Sequence, residues 1–189
     1  MPFISFQELI DIAVMAFAIG FIFKDSFRPK IREDVDPVAY YRQTTRFTGI
    51  KEAALVAAPA VIFHELAHKF VAMAFGAFAV LHAPYFWYFL AILMRLGNMP
   101  FPFIVGGYVS HTALPPLPSA IVAIAGPLTN LLIWALSIAC IRFHIIPKKY
   151  YPILVPLGKI NLFLAIFNMI PIPGFDGANF LRSILMLGR

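Results

Sequence analysis

Acidic residues almost vanish from this chain after residue 65: beyond Glu65 the only carboxylate is Asp176. A distal site that needs an acidic ligand has one place to find it. Charge is scarce throughout, 13% against 61% hydrophobic residues, where a soluble domain typically carries about 25%. That balance excludes an ordinary water-soluble globule and points to a membrane as solvent. Cysteine is scarcer still. Cys140 stands alone, which rules out an internal disulfide and any C-x-x-C metal or redox pair, and it reads as span packing. The chain start lacks a basic n-region, since Glu8 and Asp11 are acidic, and no small-residue cleavage pattern precedes Lys24. The first apolar stretch is therefore expected to be a retained span. No internal repeat and no low-complexity tract is present.

The apolar residues gather into runs at 9–23, 53–81, 119–141 and 150–170, each suited to membrane burial. A further run, 84–109, is interrupted by Arg95, Gly97, Pro100 and Pro102, and a short apolar tail covers 178–187. Within 101–109 the aromatic and β-branched residues around Gly106 and Gly107 predict extended backbone. Extended backbone at membrane depth needs protein or a water-filled cavity beside it, so it is expected against the active site. The expected fold is an all-α polytopic membrane protein with about five to six transmembrane or re-entrant helices and a small membrane-associated β segment. One domain is expected over 1–189, with its core at about 53–182 and a polar loop at 24–51.

The net charge of +6 carries no nucleic-acid signature. Seven of the fifteen Lys and Arg residues fall in 24–51, beside Asp25, Glu33, Asp34 and Asp36. This mixed-charge loop is expected to meet lipid head groups, and no nucleic-acid partner is expected. The loop and the cluster Arg142, Lys148 and Lys149 should share the cytoplasmic side. Two spans between them satisfy this and three do not, so 84–109 is expected to dip in without crossing.

His64-Glu65-Leu66-Ala67-His68 carries the chemistry. HExxH sets two imidazoles one helical turn apart on one face, where both can ligate a zinc ion. Glu65, about 100° around the helix, is free to act as general base and then as proton donor to a leaving amine. Such residues at membrane depth are costly and are read as functional. Lys69 either neutralises the site or snorkels to an interface.

Asp176 follows Pro171-Ile172-Pro173-Gly174-Phe175. The prolines end a helix, and Gly174 and Gly177 allow a sharp turn around the acid. It is expected as the third ligand, a role compatible with helix N-capping. A metzincin layout fails because positions 71 and 74 are Val71 and Ala74, and a downstream glutamate ligand is impossible. Asn130 and Asn168 lie in apolar spans. They either bond an unwound substrate and line a water route, or pair across helices. His82, His111 and His144 are read as interface or core residues.

These residues together resemble the site-2 protease family of intramembrane zinc metalloproteases, and in particular its compact archaeal and bacterial members. The match rests on HELAH, on Ala125-Gly126-Pro127-Leu128-Thr129-Asn130 at the start of a later span, and on Asn168 through Gly177. It covers about 53–182. Gly106-Gly107-Tyr108-Val109 looks like the family's membrane-associated β segment. The resemblance implies one zinc held by His64, His68 and Asp176, water activation by Glu65, and substrate contacts from Asn130 and Asn168. Gly106 and Gly107 are expected to receive the substrate by strand addition. The implied activity is hydrolysis of peptide bonds within or near a membrane-spanning helix of another protein, in a multi-pass protein of a prokaryotic plasma membrane. The alternative is a zinc-binding membrane protein without hydrolysis, a transporter or pseudo-protease. No PDZ or CBS-like module accompanies the motifs. The family implies a cytosol-facing zinc, the basic-loop count the opposite face; both expectations stand.

Overall fold

A computed structural model describes residues 3–27, 49–99 and 106–188. Helix α1, Phe6–Phe23, opens on a capping box: Ser5 Oγ accepts from the Glu8 N–H, and the Glu8 carboxylate accepts from the Ser5 N–H. A short 3₁₀ turn, Lys24–Phe27, follows. Helix α2, Ile50–Ala74, buries Val61, His64, Glu65, His68 and Ala72 at helical spacing. α1 and α2 run antiparallel in close contact. A Cβ on Gly20 would lie 2.9 Å from both the Ala54 side chain and the Ile50 carbonyl oxygen, so glycine is what lets the helices meet.

α2 ends at Ala74, and Gly76 just beyond it takes left-handed backbone (φ 81°). This corrects the expected apolar run of 53–81: its last part leaves the helix and forms strand β1, Ala79–His82. A short apolar run cannot be divided between helix and strand by periodicity alone. Helix α3, Tyr85–Leu96, follows, and strand β2, Tyr108–His111, pairs antiparallel with β1. Of the predicted extended stretch, residues 101–105 lie outside the described residues.

Because His82 pairs with Tyr108, the residues on either side of the insert 83–107 lie next to each other. α3 runs parallel to α1. The Tyr85 hydroxyl donates to Asp11 near the start of α1, and Arg95 pairs with Asp25 just past its end.

The phase of the hairpin is fixed. The Thr112 N–H donates to the Phe78 carbonyl at 3.0 Å, and hydrogen-bonded pairs alternate along an antiparallel ladder. Val80–Ser110 and His82–Tyr108 are therefore hydrogen-bonded pairs, while Leu81–Val109 is not. Val109 turns its N–H and C=O away from β1, and β2 is the outer strand.

Helix α4, Pro116–Arg142, starts earlier than expected, so Gly126 lies well inside it and not at its start. It packs against α2, against α5 (Tyr151–Asn168) and against α6 (Asp176–Leu187). A 3₁₀ turn, Lys148–Tyr150, precedes α5. Among the described residues, 4 helical stretches are long and apolar enough to cross a membrane: α1, α2, α4 and Lys148–Asn168. The protein is an all-α polytopic membrane protein with one small two-stranded sheet. α4 runs antiparallel to α2, with Gly126 beside His64 and His68, so the start of α2 and the end of α4 lie at the same end of the bundle.

Candidate metal centre and its groove

The helical repeat of α2 sets His64 and His68 one turn apart, both buried, with ring centroids 4.7 Å apart. Their Nε2 atoms are 3.1 Å apart. The turn 169–175 brings Asp176 to them: its Oδ2 lies 3.0 Å from His64 Nε2 and 3.2 Å from His68 Nε2. Gly174 in that turn and Gly177 in the first turn of α6 allow this approach. Gly174 has φ 99°, and a Cβ on Gly177 would fall 2.3 Å from the Met169 carbonyl oxygen. Asp176 is the first residue of α6, with Phe175 as N-cap and no side-chain cap bond. Its carboxylate faces the imidazoles.

The three ligand atoms form a triangle with edges of 3.0, 3.1 and 3.2 Å. Tetrahedral zinc with ligands at roughly 2.0–2.1 Å separates them by about 3.3 Å, so the donor set fits that ion. The His68 tautomer gives a second test. Its Nδ1 lies 2.7 Å from the Val122 carbonyl oxygen. An N–H donated there leaves Nε2 with a lone pair, facing a carboxylate oxygen and another imidazole nitrogen. A metal ion between them would satisfy all three atoms at once.

Gly126 of α4 backs the triangle. A Cβ there would be 2.4 Å from His68 Nε2 and 2.6 Å from His64 Nε2. Any side chain would intrude on the ligand atoms. The contact depends on how closely α4 approaches α2.

Glu65 is buried and accepts a hydrogen bond from the Gly107 N–H. Gly106 and Gly107 pack directly on it: Cβ atoms there would come within 3.5 Å of Glu65 Oε1 and 3.0 Å of its Cγ. The structure thus brings both glycines to the predicted base. The Tyr88 hydroxyl donates to the Gly106 carbonyl at 3.3 Å and holds this segment from behind.

Two cavities, of about 480 and 180 Å³, share His64, Glu65, Gly107, Asn168 and Gly174. The larger runs along β2 on one wall and α6 on the other, past His111 and Arg182. Asn168 therefore sits in the groove. Asn130 does not line either cavity; it is fully buried, and neither amide atom has a partner among the described residues. His82 bonds to Ser110 Oγ and stacks on Tyr108. His144 meets the Tyr151 hydroxyl.

Lys69 departs from both expectations for it. It neither snorkels nor faces the metal centre, but is buried in an ion pair with Glu8. The sequence did carry a signal: two acids one turn apart, Glu8 and Asp11, in an otherwise apolar helix demand partners.

No family model matches the chain, and no solved structure is significantly similar to it. Curated proteins are. The chain is 33% identical over 186 residues to a provisionally named zinc metalloprotease of Methanocaldococcus jannaschii, covering 94% of this chain and 85% of that protein. A second zinc metalloprotease of the same organism is 30% identical over 125 residues, with 66% of this chain and 32% of that protein covered. A provisionally named zinc metalloprotease of Synechocystis is 33% identical over 133 residues, with 70% and 31% covered. The chain thus spans about a third of the length of the latter two. With the donor triangle and this likeness along nearly its whole length, the chain belongs to the zinc metalloprotease family of these archaeal and cyanobacterial proteins, and Zn2+ is its cofactor.

Proposed function

We propose that the protein is an intramembrane zinc endopeptidase of the site-2 protease type, cutting peptide bonds within or near membrane-spanning helices of other proteins. One observation carries this reading: two of the three ligands, His64 and His68, and the carboxylate between them, Glu65, lie inside a span-length helix. His64 is ten residues before the last residue of α2, about 15 Å along the axis at 1.5 Å per residue. A substrate that reaches this depth is itself membrane material.

Each residue then takes a role. His64, His68 and Asp176 hold zinc, which when bound supplies a Lewis acid that polarises a carbonyl and makes water easier to deprotonate. Glu65, oriented by the Gly107 N–H, takes the proton of the attacking water and passes it to the leaving nitrogen. Asn168, at the shared part of both cavities, holds the substrate backbone across the catalytic residues. A helical substrate hides its amides in its own hydrogen bonds and must unwind before attack. The outer edge of β2 receives the unwound segment through the Val109 N–H and C=O. The Gly107 N–H is already engaged by Glu65, so Val109 is the docking amide. The domain extends over 1–189, and its setting is a prokaryotic plasma membrane, with lipid and a transmembrane substrate as partners.

The test is cleavage of a single-span peptide by purified protein in detergent. Chelator-sensitive cutting that disappears in Glu65→Gln, with zinc retained, supports the reading. Wild-type cutting by that variant removes Glu65 from the mechanism, and a zinc-loaded wild type that cuts no single-span peptide sinks the protease reading.

A further inference from the structure

Glu8, Asp11 and Lys69 are buried ionisable groups with no part in the chemistry above. Glu8 is 3% exposed, Asp11 2% and Lys69 2%. Lys69 follows the ligand His68 but turns to the far side of α2, where it pairs with Glu8 Oε1. The same oxygen accepts the Leu81 N–H at 2.9 Å, and Oε2 accepts the Ser5 N–H at 2.7 Å. One turn along α1, Asp11 accepts the Tyr85 hydroxyl and so anchors the start of α3 just beyond β1. α1 thus grips the hairpin from behind at two points.

A buried ion pair is a weak source of stability, since desolvation offsets its attraction and an apolar pair can fill the same space. What an apolar pair cannot do is accept the Leu81 N–H. That N–H points away from β2, on the inner edge of β1, in agreement with the ladder phase set independently by Thr112 and Phe78. Slipping an antiparallel pair by one residue exchanges inward and outward groups along the whole strand. With Leu81 bonded to Glu8, the non-hydrogen-bonded pair stays at Leu81–Val109. The Val109 N–H and C=O then stay on the groove side, where among the described residues nothing else bonds them.

We propose that Glu8 is a positioning residue for the reaction: through the Leu81 N–H it holds the hairpin in the phase that offers Val109 to the substrate backbone. This rests on the strand-addition reading of the groove. Lys69 serves to keep the Glu8 carboxylate charged and in place.

The test compares two double variants of the full chain, Glu8→Gln with Lys69→Met and Glu8→Leu with Lys69→Met, each in the Glu65→Gln background. Both remove the ion pair; only the first leaves an oxygen for Leu81. The probe is a single-span peptide bearing a fluorophore, titrated in detergent beside zinc content and deuterium exchange at Leu81. Both variants are expected to hold zinc. The glutamine variant should bind within about twofold of the parent, and the leucine variant about tenfold or more weaker, as the loss of a pair of backbone hydrogen bonds implies. Leu81 exchange should quicken only in the leucine variant. Equal binding by the two, in either direction, overturns the proposal.

Should the leucine variant not fold, the parent decides: Leu81 must exchange slowly in the free protein, and peptide must slow exchange at Val109. Fast exchange at Leu81, or no protection at Val109, overturns it. A wild type that binds peptide without cutting any would sink the protease reading and leave this one to the binding series. Cutting by the wild type, with no binding contrast between the two variants, would sink this one alone.

Discussion

Gly126→Ala is the smallest change that should empty the metal centre. The added methyl carbon would lie 2.4 Å from His68 Nε2 and 2.6 Å from His64 Nε2, where non-bonded contact needs roughly 3.5 Å. About 1 Å of movement is therefore required, and neither side yields easily. α4 is wedged against α2, α5 and α6, and the His68 ring is tied to the Val122 carbonyl at 2.7 Å. Overpacking of this kind costs about 1–3 kcal/mol. Disturbing a ligand's orientation lowers metal affinity by about 10–100-fold. Together these predict zinc bound at least about 100-fold more weakly, or about 2.7 kcal/mol at 1.36 kcal/mol per tenfold. Competition against a chromophoric chelator in detergent measures it, with a thermal melt to establish that the helices remain assembled. A folded Gly126→Ala protein with wild-type zinc affinity would mean that the imidazoles do not meet zinc at this place, and the reasoning would fail.

Removing the carboxylate of Glu65 as Glu65→Gln should lower turnover by about 10²–10⁴-fold, the usual contribution of a positioned proton carrier, while zinc content stays unchanged. The two edges of β2 should respond differently to proline. Val109→Pro deletes an N–H that faces the groove, and should raise KM with zinc and melting temperature near wild type. Ser110→Pro deletes an N–H that bonds to β1, and should loosen the hairpin and lower the melting temperature as well. Identical behaviour of the two would contradict the assigned ladder phase.

Much of the site was legible because its chemistry is local or scarce. HExxH on an apolar run fixes two imidazoles on one face wherever the helix ends up. Asp176 could be singled out because no other carboxylate follows Glu65. Charge parity led to the expectation that 84–109 dips in without crossing; the structure adds that His82 and Tyr108 pair side by side. What escaped depends on approach between distant segments. The end of α2 at Ala74 was hidden, because the apolar residues continue almost unbroken from helix into strand. Lys69 reads as an interfacial lysine until Glu8 is seen opposite it. The segment with Gly106 and Gly107 was expected against the active site, but how closely Gly107 meets Glu65 and Gly126 meets both imidazoles is a property of packing. The burial of Asn130 away from both cavities is likewise invisible in an apolar run.

Zinc-edge X-ray absorption on the purified protein, beside metal analysis of Asp176→Ala, bears most directly on whether α2 and the start of α6 close around one ion. The account predicts one zinc per chain with two imidazole ligands and a carboxylate oxygen at roughly 2.0–2.2 Å. In Asp176→Ala that oxygen should be lost and the affinity should fall. An unchanged coordination shell and full zinc occupancy in the variant would contradict it.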